Sequence, residues 1–201
     1  MQKFNTLADA IRLAEFAHFS QVDKAGLPYI KHPMRVLEKV QSQGALPYVQ
    51  MAAVLHDVTE DTKITTDTLL TMGFPESAVN IVRLLDRGAS KNRWISMNES
   101  RDRLRDSWAN MSDPEYSHEM KLWVDTNFGS MDNIDDPDGF YYYEIKSNPQ
   151  ATLVKLADIE DNLAPWRQSY LSDDTQKRLQ TKYAKARRIL DPPAVNHGFI
   201  G

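Results

Sequence analysis

The sequence contains no cysteine, which excludes disulfides and thiolate metal sites and leaves His, Asp and Glu as the only strong metal ligands. It has no excess of positive charge: 24 Lys and Arg stand against 28 Asp and Glu. The resulting net charge of -4 argues against a broad nucleic-acid surface, because phosphate-backbone binding needs a surplus of cations. No apolar run approaches the roughly 20 residues that cross a bilayer. The N-terminal segment MQKFNTLADAIRLAEFAHF lacks both an uninterrupted apolar core and a small-residue cleavage site, so it does not read as a signal peptide. Fixed-period repeats and low-complexity segments are absent too. With 201 residues, 41% of them hydrophobic, the chain is expected to be one cytoplasmic domain without membrane association. The sequence leaves a homo-oligomer open.

What is present is helical periodicity. Leu7, Ala10, Ile11, Ala14 and Ala17 recur at three- and four-residue steps, predicting a helix from Leu7 to Gln21 that is capped by Asn5 or Thr6 and carries His18 and Gln21 inward. After the turn-like DKAGLPY, Pro33 opens a second helix that runs to Ser42 and stops at Gly44, with His32 expected extended before the proline. Leu46 to Thr59 reads as a third helix, Thr66 to Met72 as a fourth, and Pro75 to Arg87 as a fifth stopped by Gly88. Residues 89–138 lose the periodicity, apart from a mixed-charge helical stretch around Glu99 to Asn110, and read as an insertion or lid. Helical pattern returns around GFYYYEIKSNP, where Phe140 to Tyr143 is ambiguous with a strand, and in ATLVKLADIEDNLAPW. A last helix, Asp173 to Leu190, turns Leu179, Tyr183, Ala186 and Leu190 to one face. The fold class is all-α.

The chemistry sits where apolar helices end in ionisable residues. The run LPYVQMAAVLHDVTEDT is mostly apolar yet carries His56 and Asp57, and ADIEDN follows an equally apolar stretch. A buried charge left unpaired costs several kcal/mol, so such residues pair or bind a metal. His32 and Asp158 are the natural partners, giving two imidazoles and two carboxylates. A nitrogen and oxygen set of this kind favours one Mn²⁺ or another borderline-to-hard divalent ion. Glu60 and Asp61 follow one turn later, where a general base belongs. Asn162 lies four residues after Asp158 and faces the same way. Lys24, Lys31 and Arg87 are candidate phosphate contacts. His18 reads as a core histidine, Tyr141 to Tyr143 as core, the basic face of the last helix as solvated, and Trp166 and Arg167 as the pocket border. His118 and His197 are assigned no role.

Three blocks together, AHFSQVDKAGLPYIKHPMRV, AAVLHDVTEDT and LVKLADIEDN, resemble the hydrolase domain of the RelA/SpoT alarmone enzymes and the stand-alone small alarmone hydrolases of the Mesh1 type. The resemblance spans residues 7–88 and 139–190. It implies an HD-domain helical bundle, with the insertion between the fifth helix and the Asp158 helix, holding one Mn²⁺ on His32, His56, Asp57 and Asp158. It further implies that Glu60 and Asp61 position a nucleophilic water and that Asn162 contacts the nucleotide. The implied reaction removes the 3′-pyrophosphate of a guanosine or adenosine alarmone, (p)ppGpp or (p)ppApp. The alternatives are hydrolysis of another nucleotide or of an NADPH phosphate, and a nucleotide-sensing module without turnover. Where the family commonly carries an Arg-Lys pair, this chain has Asp23-Lys24, which bears on the base it takes.

Overall fold

The structure is a computed structural model that describes residues 4–109 and 136–191. Among the described residues every regular element is a helix, and the extended pairing is limited to an isolated bridge between Val22 and Pro28. Helix α1 (Leu7–Ala17) starts on a capping box in which Thr6 and Asp9 satisfy each other's free backbone amides, and ends at His18, short of the expected Gln21. Helix α2 spans Lys31–Ser42, and α3 spans Pro47–Leu55.

His32 therefore lies inside the first turn of α2 and is not extended, which corrects the reading from Pro33. The first helical turn needs no amide from a proline, so the pre-proline preference is overridden at small cost. The third predicted helix also divides. The four-residue hydrogen-bond ladder lapses at His56 and Asp57, and a short α4 (Val58–Asp61) resumes beyond them.

Helix α5 (Thr66–Met72) is capped by the Thr65 hydroxyl and stopped by Gly73, whose φ of 99° suits a residue without a Cβ. Helix α6 (Glu76–Leu85) ends before Arg87, and Gly88 is not its stop. Instead the Asp86 carboxylate accepts the Ala89 amide at 2.8 Å, capping α7 (Arg87–Ala109), which runs straight through Gly88. Residues 89–109 of the expected insertion are thus helical. It is pinned to α8 (Pro137–Lys146) by the pair of Arg93 with Glu144 at 2.7 Å. The ambiguous run Phe140 to Tyr143 belongs to α8. Residues 110–135, His118 among them, lie outside the described residues, as do 192–201 with His197.

Helix α9 (Pro149–Asn162) is followed by the short α10 (Pro165–Gln168) and by α11 (Asp173–Leu190). The face of α11 that packs inward is the expected one, Leu179, Tyr183, Ala186 and Leu190. Helix α3 is buried on nearly every side and touches α1, α2, α6 and α9, while α9 also packs on α6, α8 and α11. These two helices are the centre of the bundle. The C-terminal end of α3, the first turn of α2 and the last turn and a half of α9 meet at one point.

Candidate metal centre

The meeting point brings His32, His56 and Asp158 together, all buried, with one ligand atom of each within 4.8 Å of the others. His32 Nε2 lies 3.2 Å from Asp158 Oδ1, and His56 Nε2 lies 4.0 Å from the same oxygen. Asp57 closes the group from the other side, its Oδ2 3.0 Å from His56 Nε2 and 3.6 Å from His32 Nε2. The two imidazoles meet edge to face, ring centres 5.2 Å apart.

Proton positions follow from the partners. His56 Nδ1 lies 2.8 Å from the Ala53 carbonyl, which can only accept, so Nδ1 carries the hydrogen and Nε2 a lone pair. That lone pair is buried and, among the described residues, has no hydrogen-bond donor beside it. His32 Nδ1 lies 2.7 Å from Asp161 Oδ2, again an acceptor, so its Nε2 also presents a lone pair to the carboxylates. Two imidazole lone pairs and two carboxylates converge, and the cation that reaches them, Lys155, meets the second oxygen of Asp158. Such a set fits a divalent cation, and in its absence it draws protons instead. Burial alone would push His32 down, but Asp158 and Asp161 outweigh it and hold the ring at about 9. His56 is raised because Asp57 overcomes its burial. Asp158 is buried and Asp57 half-buried, which disfavours charge, yet both are held below the ordinary carboxylate range, Asp57 by the histidines and Asp158 by Lys155 and His32.

A cavity of about 350 Å³ opens over this cluster. It is lined by the carboxylates Asp57, Glu60 and Asp61, by the cations Lys24, Arg87, Lys155 and Lys182, and by Tyr141, Asn162 and Tyr183. The Tyr29 hydroxyl lies between two of the carboxylates, 2.6 Å from Asp57 Oδ2 and 2.8 Å from Asp61 Oδ2. Glu60 accepts the Arg87 amide at 3.0 Å, and the protein packed around it raises its pKa, an effect that Asp57 adds to and the amide opposes. Lys155 reaches Asp158 Oδ2 at 2.7 Å. Lys182, crowded by protein and by Arg87 and Lys155, is pushed down to about 8.

No family model matches the chain. Among solved structures it is similar to a protein described as a metazoan ortholog of SpoT that hydrolyzes ppGpp and plays a role in starvation responses. That likeness has a TM-score of 0.60 at 18% identity, over 92% of this chain and 85% of that one. The fold is the HD-domain helical fold.

Within the HD-domain fold the four expected metal residues come together, and so do Glu60, Asp61, Lys24, Arg87 and Asn162 around the cavity. Lys31 does not line it. Two of the substrate candidates have protein partners as well. Arg87 directs its guanidinium to Asp138 at 2.8 Å and to the Tyr142 hydroxyl at 2.9 Å. Asn162 donates to the Asp158 carbonyl at 3.1 Å and to its carboxylate, so it steadies Asp158 while facing the cavity. His18 is buried beside the site with its ring centre 4.7 Å from that of Tyr29, and Gln21, bonded to it, donates to the Asp61 carbonyl. Tyr141 and Tyr142 are core, whereas Tyr143 is half exposed.

Residue-by-residue reading missed Tyr29, Arg35, Lys155, Asp161 and Lys182. Four of them carry a usable signal: Tyr29 and Arg35 stand three residues either side of His32, and Lys155 and Asp161 three either side of Asp158. Lys182 was hidden in a helix face that reads as solvated. Asp23 turns out to be buried, its Oδ1 capping the turn through the Ala25 and Leu27 amides and its Oδ2 lying 3.5 Å from Arg167.

Proposed function

We propose that the chain is a metal-dependent phosphohydrolase that removes the 3′-pyrophosphate of a guanosine or adenosine alarmone. The observation that supports it best is that one cavity is lined both by the lone-pair-rich cluster of imidazoles and carboxylates, fit for a divalent ion, and by cations fit for phosphates. His32, His56, Asp57 and Asp158 would hold the ion, Mn²⁺ by the chemistry of the donor set. When bound, such an ion polarises a phosphate and acidifies water.

The remaining steps belong to the protein's own side chains. Glu60 is the general base: its carboxylate faces the cavity and its raised pKa brings it nearer to the pH at which a base and its proton exchange readily. Asp61, aligned by Tyr29, orients the attacking water. Lys24, Lys182 and Arg87 hold the phosphates, and Asn162 contacts the ribose or a phosphate from the cavity floor. Lys155 stays with Asp158 and offsets its burial.

A second reading within the same chemistry is favoured by Asp23. At the position where the resembling family commonly has an Arg, its buried carboxylate caps a turn and faces Arg167, so the nucleoside end of the substrate meets no guanidinium there. Another nucleotide or a dinucleotide phosphate is then the substrate. The experiment is to incubate the Mn²⁺-loaded protein with ppGpp, ppApp and a panel of plain nucleotides and NADPH, and to assay pyrophosphate and phosphate. Pyrophosphate from either alarmone supports the first reading, and phosphate from the panel alone supports the second. No release from any compound, with Mn²⁺ bound, returns the nucleotide-sensing module.

A further inference from the structure

Two different devices fix the two histidines of the candidate centre. His56 hands its Nδ1 hydrogen to Ala53, a carbonyl of the helix it terminates, so the local backbone sets its tautomer. His32 sits in the first turn of α2 with Nδ1 turned toward another helix. There it meets Asp161, a side chain 129 residues away in sequence and 1% exposed. Asp158 and Asp161 stand three residues apart on α9, so one helix face grips the His32 ring from both sides: Oδ1 of Asp158 at Nε2, Oδ2 of Asp161 at Nδ1.

Asp161 is itself held by two guanidinium groups. Arg35 reaches it through Nε at 2.6 Å and Nη2 at 3.0 Å, and Arg167 through Nη1 at 2.6 Å. Arg167 Nη1 also lies 3.0 Å from His32 Nδ1. A guanidinium only donates, and a lone pair on Nδ1 would face the Asp161 carboxylate at 2.7 Å, so the hydrogen stays on Nδ1 and Arg167 bonds the carboxylate. Behind Arg167 lies Asp23, so two buried or half-buried arginines are matched by two buried carboxylates. A buried carboxylate without such partners would be strongly destabilising. Asp161 therefore has every donor it needs while leaving one oxygen against the imidazole.

We infer that Asp161 is a positioning residue: it fixes the ring orientation and tautomer of His32 so that Nε2 is presented as a metal ligand, and Arg35 and Arg167 hold it in that task. The inference rests on the metal reading of the site. Carboxylates that hold a ligating histidine in this way are commonly worth 10- to 100-fold in metal affinity.

The test compares the parent protein with Asp161→Leu and Asp161→Asn, using Mn²⁺ alone in calorimetric titrations and Co²⁺ alone for its visible absorption. The asparagine variant belongs in the set because its amide carries no charge against His32 and sets an NH2 group against Arg35 Nε in the place of Oδ1. Both variants are expected to bind Mn²⁺ at least about tenfold more weakly, with an altered Co²⁺ spectrum. Arg35→Met, which leaves the His32 contact in place, is expected to lower the thermal midpoint with less than about a threefold change in affinity. A folded Asp161 variant with parental Mn²⁺ affinity and Co²⁺ spectrum overturns the inference, and Asp161→Asn alone decides it if Asp161→Leu does not fold. A parent protein that binds neither ion overturns the metal reading itself.

Discussion

The Tyr29 hydroxyl donates to Asp57 across 2.6 Å, and the two residues come from segments 28 positions apart. The same oxygen lies 2.8 Å from Asp61, so one phenol spans a candidate metal ligand and a candidate water-positioning carboxylate. Asp57 and Asp61 together drive the phenol's ionisation well above its ordinary range, after burial, which contributes most. Tyr29 stays a neutral donor at any working pH. Tyr29→Phe removes one hydroxyl and leaves the ring beside His18. We expect kcat to fall about tenfold with KM within about twofold, since the lost contacts orient reacting groups and do not touch phosphate. Steady-state kinetics on the substrate found in the panel checks this, and a rise in KM alone would place Tyr29 in binding.

His32 at about 9 implies that proton and metal compete for one nitrogen. The ring's folded value lies above its ordinary 6.5, so near neutral pH the metal-free ring is charged and the ion must displace a proton. Metal affinity should therefore rise as pH rises from 7 to 9, by up to about tenfold per unit for one displaced proton, and flatten above. Calorimetry in buffers of different ionisation heat reads both affinity and proton release. Affinity that does not change over that interval would contradict the proton placement.

Much of this centre was legible because it breaks a rule of burial. His56 and Asp57 end an apolar run, and Asp158 interrupts another, so the sequence itself advertises buried ionisable groups in need of partners. The inward face of α11 was equally plain from its spacing. The lapse of the helix at His56-Asp57 was not, because the apolar pattern continues across it and only the hydrogen-bond ladder changes. Nor was the start of α7: Gly88 looks like a helix stop until Asp86 is seen capping the Ala89 amide. Asp161 has a spacing signal and Arg167 reads as a pocket border, but their pairing could not be read for another reason. Their role exists only between α2, α9 and α10, and no local pattern encodes a contact between segments that far apart.

Lys182 gives a second pH dependence of opposite sense. Pushed down to about 8 by its surroundings and by Arg87 and Lys155, it is a cation below that value and neutral above it. A phosphate contact from Lys182 therefore weakens as pH rises from 7 to 9, and KM should increase by up to about tenfold over that range, the scale of one charge-assisted hydrogen bond. Lys182→Arg should keep KM low at pH 9, and Lys182→Met should hold it high at both pH values. KM measured for the three proteins at pH 7 and pH 9 settles the point; a Met variant indistinguishable from the parent would remove Lys182 from the binding wall.

Removing either half of the His-Asp pair separates the metal from the fold. His56→Ala and Asp57→Ala each delete a candidate ligand at the point where α3 gives way to α4, and each leaves the other donors without their counterpart. In the parent, Mn²⁺ at a hundred times its dissociation constant should raise unfolding free energy by about 2.7 kcal/mol through binding to the native state alone. In either variant that metal-linked gain, seen as the difference between thermal midpoints with Mn²⁺ and with chelator, should disappear. Retention of the full difference would show that the ion binds elsewhere.

Glu60 carries the sharpest prediction about turnover. Its carboxylate faces the cavity, is anchored by the Arg87 amide, and has a pKa raised above the ordinary 4.5, chiefly by burial and further by Asp57. A base acts in its ionised form, so the acid limb of kcat/KM should lie above the range of a free glutamate, with activity lost as pH falls through it. Glu60→Gln keeps the shape and the acceptor for Arg87 but cannot take a proton. It should lower kcat by about 100- to 10,000-fold, leave KM and the Mn²⁺ dissociation constant near parental values, and abolish the acid limb in whatever activity remains. If Glu60→Gln retains parental kcat while Asp61→Asn loses it, the base is Asp61, and the bridging hydroxyl of Tyr29 then becomes part of the proton's path.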